Sequence, residues 1–273
     1  MGAFNKMRDE MGFSPQEILG LVHGIKPVSR LNVEPRDKSF DRRFRQFKEK
    51  CKGLGLCWKL EHFDNFNRLG EMTNLYVSKS PERIDELIEA ERAMDTKEVG
   101  RVYGLPDCCV DFFSSLKGNE KASVPFKVLE NSKKPFSFYT NFLLYIATHF
   151  RPKNELQSQC FYGFRNRCAY LIYHIPCSFN CRKSIEKGKQ YYAVLEKELP
   201  EFARHVESTL KKTVVFFGNL DFVLLGNASE ESKGVLYDSV FDFPSIIPKN
   251  IVEKIRQGNQ IRTENGKFEV FTD

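Results

Sequence analysis

The spacing of apolar residues predicts a chain that is mostly helical and changes its period towards the C-terminus. Up to about Lys211, apolar side chains recur every three or four positions, which is typical of helices that bury one face. From Thr213 onwards, short runs rich in Val, Phe and Leu are separated by Gly-Asn breaks, which is typical of antiparallel strands. We therefore expect an α+β fold, with a mostly helical body and a small antiparallel sheet towards the C-terminus.

The N-terminal half contains recognisable helix start and stop signals. Ser14, Pro15 and Glu17 form a capping signal for the first helix. Gly104 ends a later helix, and Pro106 prevents its continuation. The predicted helices begin at Ser14, cover Phe40–Lys52 and Ser80–Ala93, run from Asp95 or Thr96 to Gly104, and restart at Asp107, while the predicted strands are Leu54–Phe63 and Leu75–Val77.

The C-terminal half is predicted to hold further helices before the strands. The helices are expected at Asn141–Phe150, Ser158–Tyr173, Ser178–Leu199 and from Pro200 to Lys211, and the strands at Thr213–Phe217, Asp221–Leu225 and Gly234–Val240. A short helix near Pro248–Gln257 and a hairpin over Gln260–Thr272, turning at Asn265-Gly266, are expected to follow. The polar connection Gly118–Pro135 is the best internal boundary. We expect one domain over residues 1–273, which can be subdivided into 1–118 and 136–273.

Charge is concentrated in one part of the 273-residue chain, whose formal net charge is +6. The Lys26–Leu60 region alone holds eleven basic and four acidic residues. Such a region can bind nucleic acid or an acidic partner, and it is also typical of a solvated helix face. No apolar run reaches the roughly 18 residues of a membrane span, and the N-terminus lacks a signal segment. We therefore expect a cytoplasmic protein without a membrane partner, whose thiols are reduced.

Two cysteine clusters carry the clearest chemical signal. Cys108 and Cys109 follow a Gly/Pro break, and Cys177 and Cys181 follow Pro176 in the same way. Asp107 and Ser178 are the expected helix N-caps, and the free N–H groups of a helix start favour thiolates. Helical spacing places Cys109 and Cys181 on inward faces, so we expect the two clusters to converge. The remaining cysteines fit apolar faces and are predicted to be core residues, namely Cys51, Cys57, Cys160 and Cys168.

This convergence predicts a metal site with Cys109, Cys177 and Cys181 as ligands. His174 is a candidate fourth ligand or proton carrier, and Cys108 is a candidate to complete the site or to act on a substrate. Three thiolates on a [4Fe–4S] cluster leave one iron open, which suits sulfur transfer or redox chemistry on a small-molecule or sulfur-carrying substrate. Two alternatives stay open. One is a structural zinc module with a nucleic-acid-binding Lys26–Leu60 region, and the other is a metal-free thiol redox protein.

The two cysteine segments together resemble the signature of a largely archaeal family of unassigned function, known as domain of unknown function 483. That signature pairs a Gly-x-Pro-x-Cys-Cys segment with a later His-x-Pro-Cys-Ser-x-x-Cys segment, which correspond here to Gly104–Cys109 and His174–Cys181. The resemblance covers about Lys59 to Val240, and Leu105 departs from the aromatic residue expected at its position. It implies cysteines that function together in a prokaryotic cytoplasm, and it implies no established reaction.

Overall fold

The computed structural model confirms the predicted α+β class. It describes residues 13, 15–33, 35, 39–64, 71–118, 124–133, 135–143, 169–216, 222–231, 234–242, 255, 257–258, 260–262 and 268–269. These ranges contain eight α-helices and ten strands, and every strand pair in them is antiparallel. None of the helices in the described ranges is long and apolar enough to cross a membrane. The chain divides into two compact units, Met1–Ser114 with Ala193–Leu199 and Ser115–Tyr192 with Pro200–Asp273.

The first unit contains a small sheet and several helices. Its strands are β1 (Val28–Val33), β2 (Cys57–Phe63) and β3 (Met72–Ser78), and its helices are α1 (Pro15–Val22), α2 (Phe40–Gly53), α3 (Pro81–Arg92), α4 (Thr96–Val102) and α5 (Asp107–Ser115). Strand β2 begins three residues later than predicted, because Gly55 adopts a φ of +65° and turns the chain after α2. Asp95 is the N-cap of α4, and its carboxylate accepts from the backbone N–H groups of Lys97 and Glu98.

The three strands pair in the order β1-β3-β2, so β3 is central and β2 lies at an edge. Side chains alternate between the two faces of β3, and each face has its own apolar layer. Leu75 and Val77 join a layer with Phe47 of α2, whereas Tyr76 joins a second layer with Leu87 of α3. Strand β1 was not predicted, because the polar residues of its Val-Ser-Arg-Leu-Asn-Val segment hide any alternation.

A buried acid anchors α3 to the sheet. Glu91 is 7% exposed and accepts hydrogen bonds from Arg30 of β1, at 2.5 Å, and from the Tyr76 hydroxyl. Burial raises the pKa of the Glu91 carboxyl, and the Arg30 guanidinium opposes this rise by favouring the carboxylate. The buried charge is therefore compensated by a partner on the neighbouring element.

The second unit combines helices with two small sheets. Its helices are α6 (Val124–Glu130), α7 (Arg182–Glu198), which begins in this unit, and α8 (Pro200–Leu210), and a single 3-10 turn covers Phe138–Thr140. The strands that follow are β4 (Thr213–Phe216), β5 (Phe222–Gly226), β6 (Ser229–Glu231), β7 (Gly234–Leu236), β8 (Ser239–Asp242), β9 (Gln260–Arg262) and β10 (Phe268–Glu269). One sheet has the order β10-β4-β5-β8 and the other has the order β6-β7-β9. Apolar side chains from both sheets share one core cluster, which includes Val215, Val223 and Val235.

Several predictions about the C-terminal half were wrong or fall outside the described residues. Strands β9 and β10 pair with β7 and β4, in different sheets, so the expected Gln260–Thr272 hairpin does not form between them. Residues 169–173 are not helical, so the prediction of a helix that reaches Tyr173 was wrong. Outside the described residues lie 144–168, with most of the Asn141–Phe150 and Ser158–Tyr173 helices, together with most of Pro248–Gln257 and the Asn265-Gly266 turn.

Gly188 of α7 lies against the backbone at Tyr139, and this contact supports a first prediction. A Cβ at Gly188 would lie 2.7 Å from the Tyr139 carbonyl oxygen, which is too close for any side chain. We expect Gly188→Ala to lower the free energy of unfolding by about 1–3 kcal/mol, because this clash outweighs a gain in helix propensity of about 1 kcal/mol. Urea unfolding followed by far-ultraviolet circular dichroism measures the change.

Gly53 provides the matched control for this substitution. It ends α2, and a Cβ there meets no atom within 4 Å. Gly53→Ala should therefore leave the free energy of unfolding within about 0.5 kcal/mol of the wild-type value. A Gly188→Ala protein as stable as Gly53→Ala would contradict the proposed close approach.

Candidate metal centre

Four cysteine side chains form a compact group. The Sγ atoms of Cys108, Cys109, Cys177 and Cys181 all lie within 4.8 Å of one another. Cys109 and Cys181 are 2% and 6% exposed, whereas Cys177 is half-buried and Cys108 is exposed. The predicted convergence of Cys109 with Cys177 and Cys181 is confirmed, and Cys108 joins them. A group of four thiols at this spacing can hold a metal ion.

A tight turn after α4 positions Cys108 and Cys109. Gly104 adopts a φ of +69°, and the N–H of Leu105 donates to the carbonyl of Gly100 at 3.0 Å, which ends α4. The carbonyl of Pro106 then accepts from the N–H groups of Cys109, at 2.8 Å, and Val110, at 3.0 Å. Pro106 thus occupies the capping position predicted for Asp107, which is instead the first residue of α5. Both cysteines therefore lie in the first turn of a helix.

Two contacts fix the orientation of α5 against α4. The Val110 side chain packs on Gly100 so closely that a Cβ at Gly100 would lie 2.8 Å from its Cγ2 atom. On the outer side, the Lys97 ammonium donates to the Asp111 carboxylate at 2.9 Å and lowers its pKa. Lys97 and Gly100 of α4 thus hold the first half of α5 in place. This contact fixes the orientation of the neighbouring Cys108 and Cys109.

Side-chain amides hold the Cys177–Cys181 loop from outside. Asn131 donates to the carbonyl of Cys177 at 3.3 Å. Asn180, within the loop, donates to the carbonyl of Pro135 at 2.7 Å and accepts from the N–H of Lys133 at 2.8 Å. These three bonds tie both ends of the loop to the segment that follows α6.

The centre of the same loop is held by Phe179. Its N–H donates to the Ser132 hydroxyl at 2.7 Å, and its carbonyl accepts from the Thr140 hydroxyl at 2.6 Å. Its ring is fully buried, 5.4 Å from the ring of Phe136 and 5.7 Å from that of Phe142. Sequence reasoning missed these anchors, because each depends on a contact about forty residues away along the chain and leaves no local pattern.

Cys181 is itself the residue from which α7 starts. Its carbonyl accepts a hydrogen bond from the N–H of Ile185 at 2.9 Å, and its own N–H donates to the backbone carbonyl of Ser178 at 3.1 Å. The predicted N-cap Ser178 therefore belongs to the preceding turn, and the helix begins at Arg182. The first turn of α7 contains Arg182 and Lys183 and no acidic residue. This charge pattern opposes the helix dipole, which usually favours acidic residues at a helix start.

His174 is buried and lies outside the four-sulfur group. It is 4% exposed, its Nε2 atom lies 2.8 Å from the Ser184 hydroxyl, and its Nδ1 atom has no hydrogen-bond partner among the described residues. Burial, assisted by the positive charge of Lys187, lowers the pKa of His174 to about 3. The imidazole is therefore neutral at physiological pH.

Of the other cysteines, Cys51 is the core residue that the sequence predicts, whereas Cys57 is only partly buried, at the margin of the core. Cys51 is fully buried in the α2 layer, and burial raises the pKa of its thiol to about 12. Cys57 is half-buried, and its thiol donates to the carbonyl of Ser78 at 3.0 Å. Cys160 and Cys168 lie outside the described residues. Cys51 and Cys57 thus serve packing and local hydrogen bonding.

The lowered pKa of His174 leads to a prediction about pH. Its folded pKa, about 3, lies below the usual value of 6.5, so the unfolded chain takes up a proton first as pH falls. The stabilisation is complete above pH 6.5 and is lost as pH falls towards 3. Between pH 7 and pH 5 we expect the free energy of unfolding of the wild type to fall by about 2 kcal/mol more than that of His174→Gln. Equal losses in chemical unfolding, with both proteins at the same metal content, would contradict this.

Comparison of the chain with protein-family models, curated proteins and solved structures found no match. The resemblance to domain of unknown function 483 therefore stays a prediction from the two cysteine segments.

Proposed function

We propose that this protein binds one metal ion through Cys108, Cys109, Cys177 and Cys181, and that the ion is zinc with a structural role. The observation that carries the proposal is the spacing of the four Sγ atoms, which lie within 4.8 Å of one another. Four sulfurs at the corners of a tetrahedron, each about 2.3 Å from a central zinc, are about 3.8 Å apart. The 3.9 Å between the Sγ atoms of Cys108 and Cys109 agrees with this value.

An iron–sulfur cluster fits this spacing less well. In a [4Fe–4S] cluster each cysteine binds a different iron, which separates the cysteine sulfurs by about 6 Å. The observed limit of 4.8 Å is shorter for every pair. The spacing therefore favours a single ion over the cluster expected from three ligands, and a single iron in the same place would have the geometry of zinc.

The number of ligands supports a structural role. Sulfur transfer or redox chemistry at a metal requires an open coordination position, which three cysteine ligands would leave. With Cys108 as the fourth ligand, a tetrahedral ion has no open position, and zinc sites closed in this way are structural. Cys108 is the exposed member of the group, so it is also the ligand that solutes reach first.

The charges at the start of α7 are consistent with an anionic centre. Four thiolates around a divalent ion would carry a net charge of −2, which the N-terminal dipole of α7 and the positive charge in its first turn would offset in part. Without such a centre, the positive charge of Lys183 would oppose the helix dipole, while that of Arg182 is partly offset by its ion pair with Glu186. This argument favours thiolates over neutral thiols at Cys177 and Cys181.

Metal analysis of the purified protein tests the identity of the ion. We expect one zinc per chain after anaerobic purification from medium that contains both zinc and iron, with no acid-labile sulfide. Replacement by Co²⁺ should give the visible bands of a tetrahedral ion and thiolate-to-cobalt charge-transfer bands. Four irons with sulfide would instead support the cluster, and a metal-free protein with rapidly alkylated thiols would support thiol redox chemistry.

Single substitutions test the ligand set. Each of Cys108→Ser, Cys109→Ser, Cys177→Ser and Cys181→Ser should weaken zinc binding by at least about 100-fold, more than the loss of an outer hydrogen-bonding partner costs. Cys57→Ser is the matched control, because a serine there keeps the hydrogen bond to Ser78 and should leave zinc binding unchanged. Competition with a chromogenic chelator measures the affinities.

The same titration decides between Cys108 and His174 as the fourth ligand. We expect His174→Gln to retain one zinc with near-wild-type affinity, since His174 is not a member of the four-sulfur group. Loss of zinc from His174→Gln with retention in Cys108→Ser would reverse the assignment. It would also return Cys108 to the role of a residue that acts on a substrate.

A further inference from the structure

Helix α2 carries most of the exposed charge in the described part of the Lys26–Leu60 region. Its fourteen residues include six basic and two acidic side chains. Outside α2, the cations that the structure describes in this region are paired. Lys26 binds Glu17 at 2.9 Å in a buried pair, Arg30 binds Glu91, and Lys59 binds Asp85 at 3.0 Å. Within the described part of the Lys26–Leu60 region, the exposed cations without an ion pair therefore lie on α2.

The unpaired cations of α2 share one side of the helix. Arg42, Arg45 and Lys52 are exposed, and none of them forms an ion pair with any residue in the described part of the chain. Positions three and four apart lie on the same helix face, so Arg42, Arg45, Lys48 and Lys52 form one basic stripe. The neighbouring face, with Phe44 and Phe47, is buried in the core.

An exposed indole lies beside this stripe. Trp58, on edge strand β2, is 37% exposed and is the chain's single tryptophan. Its ring packs edge-on against Phe44, with 4.8 Å between centroids, and the Lys48 ammonium lies 5.6 Å from its centroid. The core thus holds one edge of Trp58 while part of the ring stays accessible next to a cation.

We propose that the basic stripe of α2 and Trp58 together bind single-stranded nucleic acid. Arg42, Arg45 and Lys52 contact successive phosphates along a helix about 21 Å long, and an unpaired base stacks on Trp58. Single-stranded binding sites combine a basic track with aromatic stacking platforms in this way. The indole distinguishes this ligand from an acidic protein, which would use the cations alone, and from a duplex, whose bases are already stacked.

Trp58 is also the reporter for the test. As the only tryptophan, it reports the proposed contact without labelling of the protein. Titration of the full-length, metal-loaded protein with oligo-dT or oligo-U of about twelve nucleotides should quench its fluorescence to a saturable limit. An abasic sugar–phosphate oligomer should bind more weakly and leave the fluorescence unchanged, because it offers phosphates and no base.

Charge variants test the basic stripe. We expect Arg42→Gln/Arg45→Gln/Lys52→Gln to weaken oligonucleotide binding at least about tenfold at low salt. The slope of log affinity against log salt should fall by about 2, near 0.7 for each lost phosphate contact. The matched control removes three exposed cations elsewhere, Lys79→Gln/Lys197→Gln/Arg204→Gln, and should change affinity less than about threefold. Circular dichroism verifies that both proteins are folded.

Several outcomes would overturn the proposal. Absence of fluorescence quenching at saturating oligonucleotide would remove the base-stacking contact. Equal weakening in the two triple variants would show attraction by net charge rather than by α2. Tight binding of poly-glutamate with no binding of oligo-dT or oligo-U would identify an acidic protein as the partner of the stripe. Equal affinity for duplex and single strand would exclude Trp58 from recognition.

Discussion

The close spacing of four cysteine sulfur atoms is the constraint on which the surrounding contacts depend, because those contacts hold the four side chains together. A buried cysteine is a small apolar side chain, and a thiol is a weak hydrogen-bond donor, so packing alone gives little reason to gather four of them. It gives even less reason for Cys108, which is exposed, and Cys177, which is half-buried. The proposed cation, shared by the four sulfurs, would turn this closeness into four bonds and would make the ordering of the surrounding loops favourable.

The backbone around each cysteine pair is arranged for such a role. Pro106 caps α5 ahead of Cys108 and Cys109, and Cys181 itself stands at the start of α7. Asn131 and Asn180 fix the Cys177–Cys181 loop through hydrogen bonds to backbone groups. A loop of five residues with a buried Phe179 at its centre cannot move its two sulfurs far without breaking these bonds. Preorganisation of this kind lowers the entropy lost when an ion binds.

The sequence predicts the features that depend on local residue patterns, and it fails for features that depend on contacts between residues far apart in the chain. The spacing of apolar residues correctly predicts that the Cys109 and Cys181 side chains are buried, because this spacing is a local property of the sequence. The predicted start of α7 at Ser178 was wrong. Serine favours an N-cap position, but hydrogen bonds to Ser132 and Thr140 hold the residues around Ser178 in a turn that precedes the helix. Strand β1 was missed because its polar residues obscure the alternation, whereas the partners of β9 and β10 were missed because strand pairing joins residues far apart in sequence.

Like-charged pairs within α2 bear on the proposed binding of a polyanion. Arg42 and Arg45, Arg45 and Lys48, and Lys48 and Lys52 are like-charged pairs at three- and four-residue spacing, each unfavourable by about 0.2–0.5 kcal/mol. Asp41 and Glu49 lie three or four positions from Arg45 or Lys52 and offset much of this repulsion, and the cation–π contact of Lys48 with Trp58 offsets a further part. The helix folds in spite of the repulsion that remains, because its apolar face is buried in the core. A polyanion along the basic stripe would relieve it, and attraction that grows as salt is lowered follows directly.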